Sequence, residues 1–190
     1  MKELRVSNRY AASLLNLGIE RNELENIKQD MDLVGETLAE NRELLLMLKS
    51  PVIKPDTKSK ILKSIFAGKV GQTVMAFLDI VVRKGREHLL FEVYKAMQRQ
   101  YNVLKNITIV SVTTAVRADD QMRQIIHNFI NENKSRFGIT GEVKFNEKVD
   151  PEIIGGFIIQ AGDQQIDHSV KRKFDDLRLE FSKNPYIAEI

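Results

Sequence analysis

The sequence predicts a mainly α-helical protein, with an N-terminal helical bundle followed by a small C-terminal α/β domain. Apolar residues recur at helical spacing as far as Lys105, and β-branched residues dominate immediately afterwards. The charge balance changes at the same point, since residues 1–105 hold 18 basic and 13 acidic side chains while residues 106–190 hold 11 and 13. We therefore predict two domains, 1–105 and 106–190.

The composition limits the classes of function. The chain has 190 residues, of which 43% are hydrophobic and 29% charged, as in globular proteins. The absence of cysteine excludes disulfides, thiolate metal sites and cysteine catalysis. No apolar run approaches the roughly 20 residues of a membrane helix. The first residues lack an apolar signal core, so we expect no targeting segment.

Five or six helices are predicted in the first half. The first covers residues 4–17, where Leu4, Ala11, Leu14 and Leu15 share a face, and Gly18 is expected to end or loosen it. Further helical patterns lie at 23–39, 44–48, 57–66, 72–84 and 87–104.

The helix predicted at 72–84 differs from the others because it carries two apolar stripes. One contains Phe77 and Ile80, and the other contains Val74, Leu78 and Val82. A surface helix needs only one such stripe. The pattern leaves two interpretations open: a central helix buried on all sides, or a helix with one stripe for the core and one for a partner helix.

The second half predicts the order β-α-β-β-β-α, which gives about four strands and two helices. A β-branched strand at 107–116 precedes a helix that starts at Asp119, and an alternating strand contains Val143 and Phe145. Residues 170–181 predict a final helix with Val170, Phe174, Leu177 and Phe181 on one face. The tail from Asn184 is expected to be loose.

Turn residues, glycines and helix-capping residues are concentrated at 149–169. This pattern predicts a turn, a buried strand, a hairpin and a helix cap. The residues that shape it are Asp150, Pro151, Gly155, Gly156, Gly162, Asp167 and Ser169. Asp167, His168 and Ser169 include the residue types of a catalytic triad, but adjacent residues in one chain point apart, so a capping role is favoured.

We find no signal for an enzyme, a cofactor or a metal. Phosphate-binding loops are absent, and His88, His127 and His168 have no zinc-site spacing. A run of lysines between residues 49 and 69 is compatible with binding to phosphates, but a solvated helix face is favoured because arginine is absent and aromatics are sparse. These lysines are Lys49, Lys54, Lys58, Lys60, Lys63 and Lys69.

Several motifs occur in a fixed order along nearly the whole chain, from about residue 6 to 181. They are Arg9-Tyr10-Ala11, Ser50-Pro51, Lys60-Ile61-Leu62, Gly85-Arg86, the strand at 110–115, Asp150-Pro151, Gly155-Gly156-Phe157, Gly162-Asp163 and the segment 166–170. Together they resemble the delta subunits of F-type ATP synthases, called oligomycin-sensitivity-conferring proteins in mitochondria. The C-terminal series is the most specific, and the resemblance is to the bacterial form.

The resemblance implies an N-terminal six-helix domain, a smaller α/β domain and no catalysis. The implied function is that of a peripheral-stalk (stator) subunit, which joins the alpha/beta catalytic head to the b subunits so that rotation is coupled to ATP synthesis. The implied location is peripheral, on the cytoplasmic face of the bacterial inner membrane and without a transmembrane segment.

The resemblance also implies the partners. The N-terminal domain would hold the amphipathic N-terminal helix of an alpha subunit between its first and fifth helices, and the C-terminal domain would receive the C-terminal end of the b subunit. By position, the groove would use Tyr10, Ala11, Leu14, Phe77, Ile80 and Arg83. The alternative function is a basic cytoplasmic RNA-binding or ribosome-associated adaptor, which rests on the charge of the first half.

Overall fold

The computed structural model describes residues 2–182, so the tail predicted to be loose lies outside the described residues. Within that range the chain forms eight α-helices and four strands, and is mainly helical. The helices are α1 (Lys2–Glu20), α2 (Leu24–Glu40), α3 (Arg42–Lys49), α4 (Pro55–Phe66), α5 (Gln72–Arg83), α6 (Leu90–Leu104), α7 (Asp120–Glu132) and α8 (Val170–Ser182). The strands are β1 (Ile107–Thr114), β2 (Glu142–Val149), β3 (Gly156–Ala161) and β4 (Gln164–Ser169).

The chain divides into two compact units, residues 1–102 and 103–190. The change in sequence pattern at Lys105 lies three residues beyond this division. Six of the helices, α1 to α6, belong to the part of the chain before β1, together with a short 3-10 helix at Glu87–Leu89.

The core of the first unit is built from one apolar face of each helix. Residues at helical spacing are fully or almost fully buried, because each amphipathic helix removes its apolar stripe from water. On α2 these are Ile27, Met31, Val34 and Leu38, and on α6 they are Leu90, Val93, Ala96, Met97 and Tyr101.

Of the two effects predicted for Gly18, ending or loosening the first helix, the first is wrong, since α1 continues to Glu20. At Gly18 α1 comes close to the start of α2, since a Cβ atom there would lie 3.1 Å from the Cα atom of Leu24. The glycine serves helix packing here, and the helix tolerates it at a cost of about 1 kcal/mol relative to alanine.

The lysine run is not a continuous solvated face. Lys58 is buried, and its Nζ donates to Oε1 of Glu87 at 2.7 Å and to the carbonyl oxygen of Leu48 at 2.8 Å. This ion pair connects the end of α3, the start of α4 and the 3-10 helix before α6. Lys63 also lies 3.3 Å from a carboxylate oxygen of Asp79 on α5. Two of the six lysines are therefore committed to contacts within the chain.

The second unit contains a four-stranded sheet in the order β2-β1-β3-β4, which confirms the predicted β-α-β-β-β-α sequence of elements. β1 is parallel to β2 and antiparallel to β3, and β3 is antiparallel to β4. The α7 helix packs on one face of the sheet through Ile126 and Ile130. The buried residues that complete this core are Val110, Val112, Phe137, Ile139, Ile159 and Ala161.

The segment between β2 and α8 has the turn, strand, hairpin and cap that its sequence predicts. Asp150 caps the short 3-10 helix that begins at Pro151, through a 3.0 Å bond from the Glu152 amide to its Oδ1. Gly156 opens β3 with φ +76°, and a Cβ atom there would lie 2.2 Å from the His168 carbonyl oxygen, so only glycine fits. Gly162 opens the two-residue hairpin loop with φ +57°.

The last helix has the predicted apolar face, but this face is not part of a core. Phe174, Leu177 and Phe181 are all exposed on α8.

Candidate protein-binding groove

A groove lies between α1 and α5, at the place where the sequence gives each helix an apolar stripe. It encloses a cavity of about 390 Å³. The lining residues recur every three or four positions on both helices, as expected for one face of each. They are Tyr10, Ser13, Leu14 and Leu17 on α1, Arg21 directly after its end, and Thr73, Ala76, Phe77 and Ile80 on α5.

The floor of the groove is apolar and partly open to solvent. Leu14 and Phe77 are buried at its base, and the Tyr10 ring packs edge-on against Phe77 with 6.1 Å between ring centroids. Ile80 lies at the rim and is 51% exposed. An isoleucine exposed to this extent beside the buried Phe77 ring can lose further apolar surface only to another molecule or segment.

Polar contacts lie at both ends of the groove, each made by a residue on one helix and residues just outside α1 or α5. At one end, Arg86 Nη1 donates to the Tyr10 hydroxyl at 3.1 Å, and the guanidinium carbon lies 5.5 Å from the centroid of the same ring. At the other end, Arg21 Nη1 donates to Thr73 Oγ1 at 3.4 Å, and that hydroxyl donates to Glu23 at 3.2 Å. The apolar floor between these ends spans about three helical turns of α1.

The structure rules out the first interpretation of α5, a helix buried on all sides. Val74, Leu78, Val81 and Val82 are buried in the core, whereas Ile80 is exposed in the groove. The helix is therefore not buried on all sides, and its second stripe faces the open groove between α5 and α1.

Four of the six residues expected to form the groove line it together: Tyr10, Leu14, Phe77 and Ile80. The other two lie elsewhere. Ala11 lies on the face of α1 that is turned toward the core, and it is fully buried. Arg83 lines a separate depression between α4 and α5, where its Nη2 atom is 2.7 Å from Asp79 Oδ2.

The residues expected from the sequence omit five that line the groove. The helical period of the two helices could have predicted these five positions. Leu17 and Arg21 continue the α1 stripe of Tyr10 and Leu14 at intervals of three and four residues. The same spacing on α5 leads back from Ile80 to its other lining positions. The missed residues are Ser13, Leu17, Arg21, Thr73 and Ala76.

The depression beside the groove holds one carboxylate in a strongly hydrogen-bonded setting. The Ser59 hydroxyl bonds to Asp79 Oδ1 at 3.0 Å, and this bond, with Lys63 and Arg83 nearby, lowers the pKa of Asp79 below its ordinary 3.8. Asp79 therefore stays ionised at neutral pH and neutralises part of the basic charge next to the groove.

Asp167, His168 and Ser169, the three residue types of a catalytic triad, have structural roles. Asp167 Oδ1 accepts a bond from the Ser169 amide, and Ser169 Oγ accepts one from the Arg172 amide at the start of α8. His168 packs instead against Phe129, with 5.0 Å between ring centroids. Over residues 2–182, no group of three or more histidine, cysteine, aspartate or glutamate side chains is arranged to hold a metal ion.

These features define a class of mainly helical protein that carries an open apolar groove on one of its units. The described helices include none that is both long and apolar enough to span a membrane.

Comparisons of the sequence and of the structure with known proteins point to the same family. The profile of the ATP synthase delta (OSCP) subunit family matches residues 6–181. The ATP synthase subunit delta of Cytophaga hutchinsonii is 34% identical over 96% of this chain and 97% of its own length. The same subunit of Christiangramia forsetii is 34% identical over the full length of both chains.

A solved structure has the same fold. One chain of the Toxoplasma gondii mitochondrial ATP synthase hexamer superposes with a TM-score of 0.67 at 20% identity, over 94% of this chain and 98% of that one. The chain described here therefore belongs to the ATP synthase delta (OSCP) subunit family. Its function is that of a non-catalytic peripheral-stalk subunit of the F-type ATP synthase, and the RNA-binding alternative has no support.

Proposed function

We propose that the groove between α1 and α5 binds the amphipathic N-terminal helix of an alpha subunit of the ATP synthase. The second unit then receives the C-terminal end of the stalk b subunit. The chain joins the two through a helical first domain of six helices and a small α/β second domain. It works on the cytoplasmic face of the bacterial inner membrane as a peripheral part of the complex.

The observation that carries this proposal is the unfilled apolar floor of the groove. A helix that lays its apolar face on Leu14, Phe77 and Ile80 gains about 25 cal/mol for each Å² of apolar surface removed from water. The groove spans about three helical turns, which suits anchors at positions i, i+3 or i+4, and i+7 of a partner helix. Tight static binding of this kind is what a stator subunit needs in order to hold the head against the rotor.

The proposal is tested by changing the exposed rim residue Ile80 to aspartate. We expect Ile80→Asp to weaken binding of a synthetic alpha N-terminal peptide by about tenfold or more, because a carboxylate would be desolvated without a partner. Isothermal titration calorimetry gives the affinity, and circular dichroism checks that the variant is folded.

The chain offers a matched control in Ile19, which is the same residue type on α1, is 47% exposed and does not line the groove. Ile19→Asp should leave the affinity within about twofold of the unaltered chain. Equal effects of the two substitutions, or an unchanged affinity in folded Ile80→Asp, would rule out the groove as the binding site.

The place of the subunit in the complex is tested by co-purification. A tagged chain should fractionate with washed membranes and copurify with their ATPase activity. If the chain remains in the soluble fraction when that activity is pelleted, the proposed location is wrong.

A further inference from the structure

The α8 helix presents its apolar stripe to solvent rather than to its own unit. Phe174, Leu177 and Phe181 are 60%, 46% and 77% exposed. Large side chains of this kind are usually buried, and three of them on one helix face form a patch rather than scattered surface residues.

The opposite face of α8 faces the sheet. Lys171, Arg172, Asp175, Asp176 and Leu179 line a depression of about 530 Å³. The sheet side of this depression is formed by Ile158 on β3 and Asp167 on β4. At about 100° per residue, the centre of this lining face lies almost opposite the stripe. The stripe therefore points away from the unit that carries it.

The helix gains little stability from its own unit. Val170 is half-buried beside Gly155, but every residue from Lys171 to Ser182 is exposed. Isolated helices of about 12–15 residues are marginal in water, and α8 has 13 residues. Burial of the stripe by a partner would supply the missing packing.

The spacing and flanking charges of the stripe indicate the kind of partner. Val170, Phe174, Leu177 and Phe181 follow intervals of four, three and four residues, which is the heptad pattern of a coiled-coil seam. The flanking e and g positions carry three cations and one anion. They are Lys171, Lys173, Arg178 and Glu180.

We propose that the stripe on α8 is a docking seam for an amphipathic helix of another subunit, with apolar residues at heptad spacing and mainly aspartate or glutamate beside them. This proposal rests on the proposed function, because it identifies the partner helix as part of the b subunit. It adds to that function the surface of the second unit that the b subunit would contact.

A second copy of this chain fits the seam less well. In a parallel pairing of two α8 helices, Lys173 of each copy would face Arg178 of the other, because g and e positions pair across a parallel coiled coil. An acidic partner instead makes favourable contacts with Lys171 and Arg178 on the e flank and with Lys173 on the g flank, and such charge complementarity speeds association.

The test compares two leucines on opposite faces of the same helix. Leu177 is 46% exposed in the stripe, and Leu179 is 56% exposed on the face that lines the depression. Binding of the full chain to the purified soluble segment of the b subunit from the same organism is measured by calorimetry. We expect Leu177→Asp to weaken binding by about tenfold or more and Leu179→Asp by about twofold or less.

The charge of the partner is tested in the same assay. Arg178→Glu should weaken binding to the b segment, and the effect should shrink as the salt concentration rises, because exposed charges are screened. An Arg178→Glu variant that binds more tightly, or as tightly at low salt, would overturn the acidic-partner assignment.

The other possible results of these binding experiments also discriminate between the docking seam and its alternatives. Equal effects of the two leucine substitutions, or no measurable binding of the unaltered chain to the b segment, would overturn the docking seam. Sedimentation that shows a dimer lost only in Leu177→Asp would assign the seam to a second copy. A loss of thermal stability shared by Leu177→Asp and by removal of residues 183–190 would assign it to the tail of the chain. Binding of the alpha peptide in the groove is measured in parallel, so failure of the seam is distinguished from failure of the proposed function.

Discussion

The buried ion pair between Lys58 and Glu87 is a residue-scale feature on which the stability of the first unit depends. Both side chains are buried, and Glu87 Oε2 has no hydrogen-bond partner among the described residues. Lys58 therefore supplies the only charge compensation that the structure shows for this carboxylate. A buried pair is weak evidence for net stabilisation, but removal of one partner leaves an uncompensated charge.

We expect Lys58→Met to lower the free energy of unfolding by about 3–5 kcal/mol, because Glu87 and the Leu48 carbonyl would both lose their donor. Urea unfolding followed by circular dichroism measures the change. The double variant Lys58→Met, Glu87→Leu is the control and should recover most of the loss, since no charge remains buried. A single variant that costs less than about 1 kcal/mol would contradict this account of the pair.

Residue-scale packing also explains what the sequence could not show. Gly35 lies inside α2, where its sequence context indicates only a weakened helix. In the structure a Cβ atom at Gly35 would lie 2.4 Å from ring atoms of Tyr94 on α6. The glycine allows an aromatic ring from a segment about sixty residues later to pack against the helix backbone. Contacts of such sequence separation leave no local signal.

At the scale of the elements, periodicity predicted most of the fold because burial of one face is what stabilises each helix and strand. The stripes of α2 and α6 and the β-branched run of β1 are each long and regular. The elements that departed from expectation depend on partners. α1 passes through Gly18, where α2 approaches closely, and the apolar face of α8 is exposed because none of the described residues of its unit covers it.

The candidate groove was predictable as a pair of helices but not in its full set of residues. The second apolar stripe of α5 can be recognised in the sequence. A helix that buries one face in a core needs apolar residues on that face alone, so a second stripe indicates a second contact. Which face of α1 meets that stripe depends on how α1 is rotated in the core. That rotation buries Ala11 and places Leu17 in the groove, and it is decided by packing rather than by residue type.

The open space between α1 and α5 can accept a larger side chain than the one now present. Ala76 is exposed and lines the groove, so Ala76→Phe would place a ring where the partner helix is expected to lie. We expect the affinity for the alpha N-terminal peptide to fall by about tenfold or more while the free energy of unfolding changes by about 0.5 kcal/mol or less. Calorimetry and urea unfolding measure the two quantities.

The matched control for this change is Ala39, an exposed alanine on α2 that is not among the lining residues. Ala39→Phe adds the same ring to the surface and should leave peptide affinity unchanged. If Ala76→Phe instead tightens binding, the ring would be extending the apolar floor, and the partner would have to lie higher in the groove than proposed.

At the scale of the whole molecule, each unit has a core of its own. The buried residues of the first unit end at Tyr101, and the core of the second begins at Val110. Between them, Val103 and Leu104 are exposed at 78% and 47%. A chain with two separate cores is expected to carry two separate binding functions, because each core can hold its own surface in place.

We expect a fragment of residues 1–105 to fold on its own and to bind the alpha N-terminal peptide as tightly as the full chain, within about twofold. The fragment keeps α6 complete to Leu104 and retains every residue that lines the groove. Thermal unfolding by circular dichroism should show one cooperative transition, and calorimetry gives the affinity. An unfolded fragment would show that the first core needs the second unit for stability. A folded fragment with much weaker binding would show that the peptide also contacts residues beyond 105, and the assignment of the head partner to the first unit alone would then be wrong.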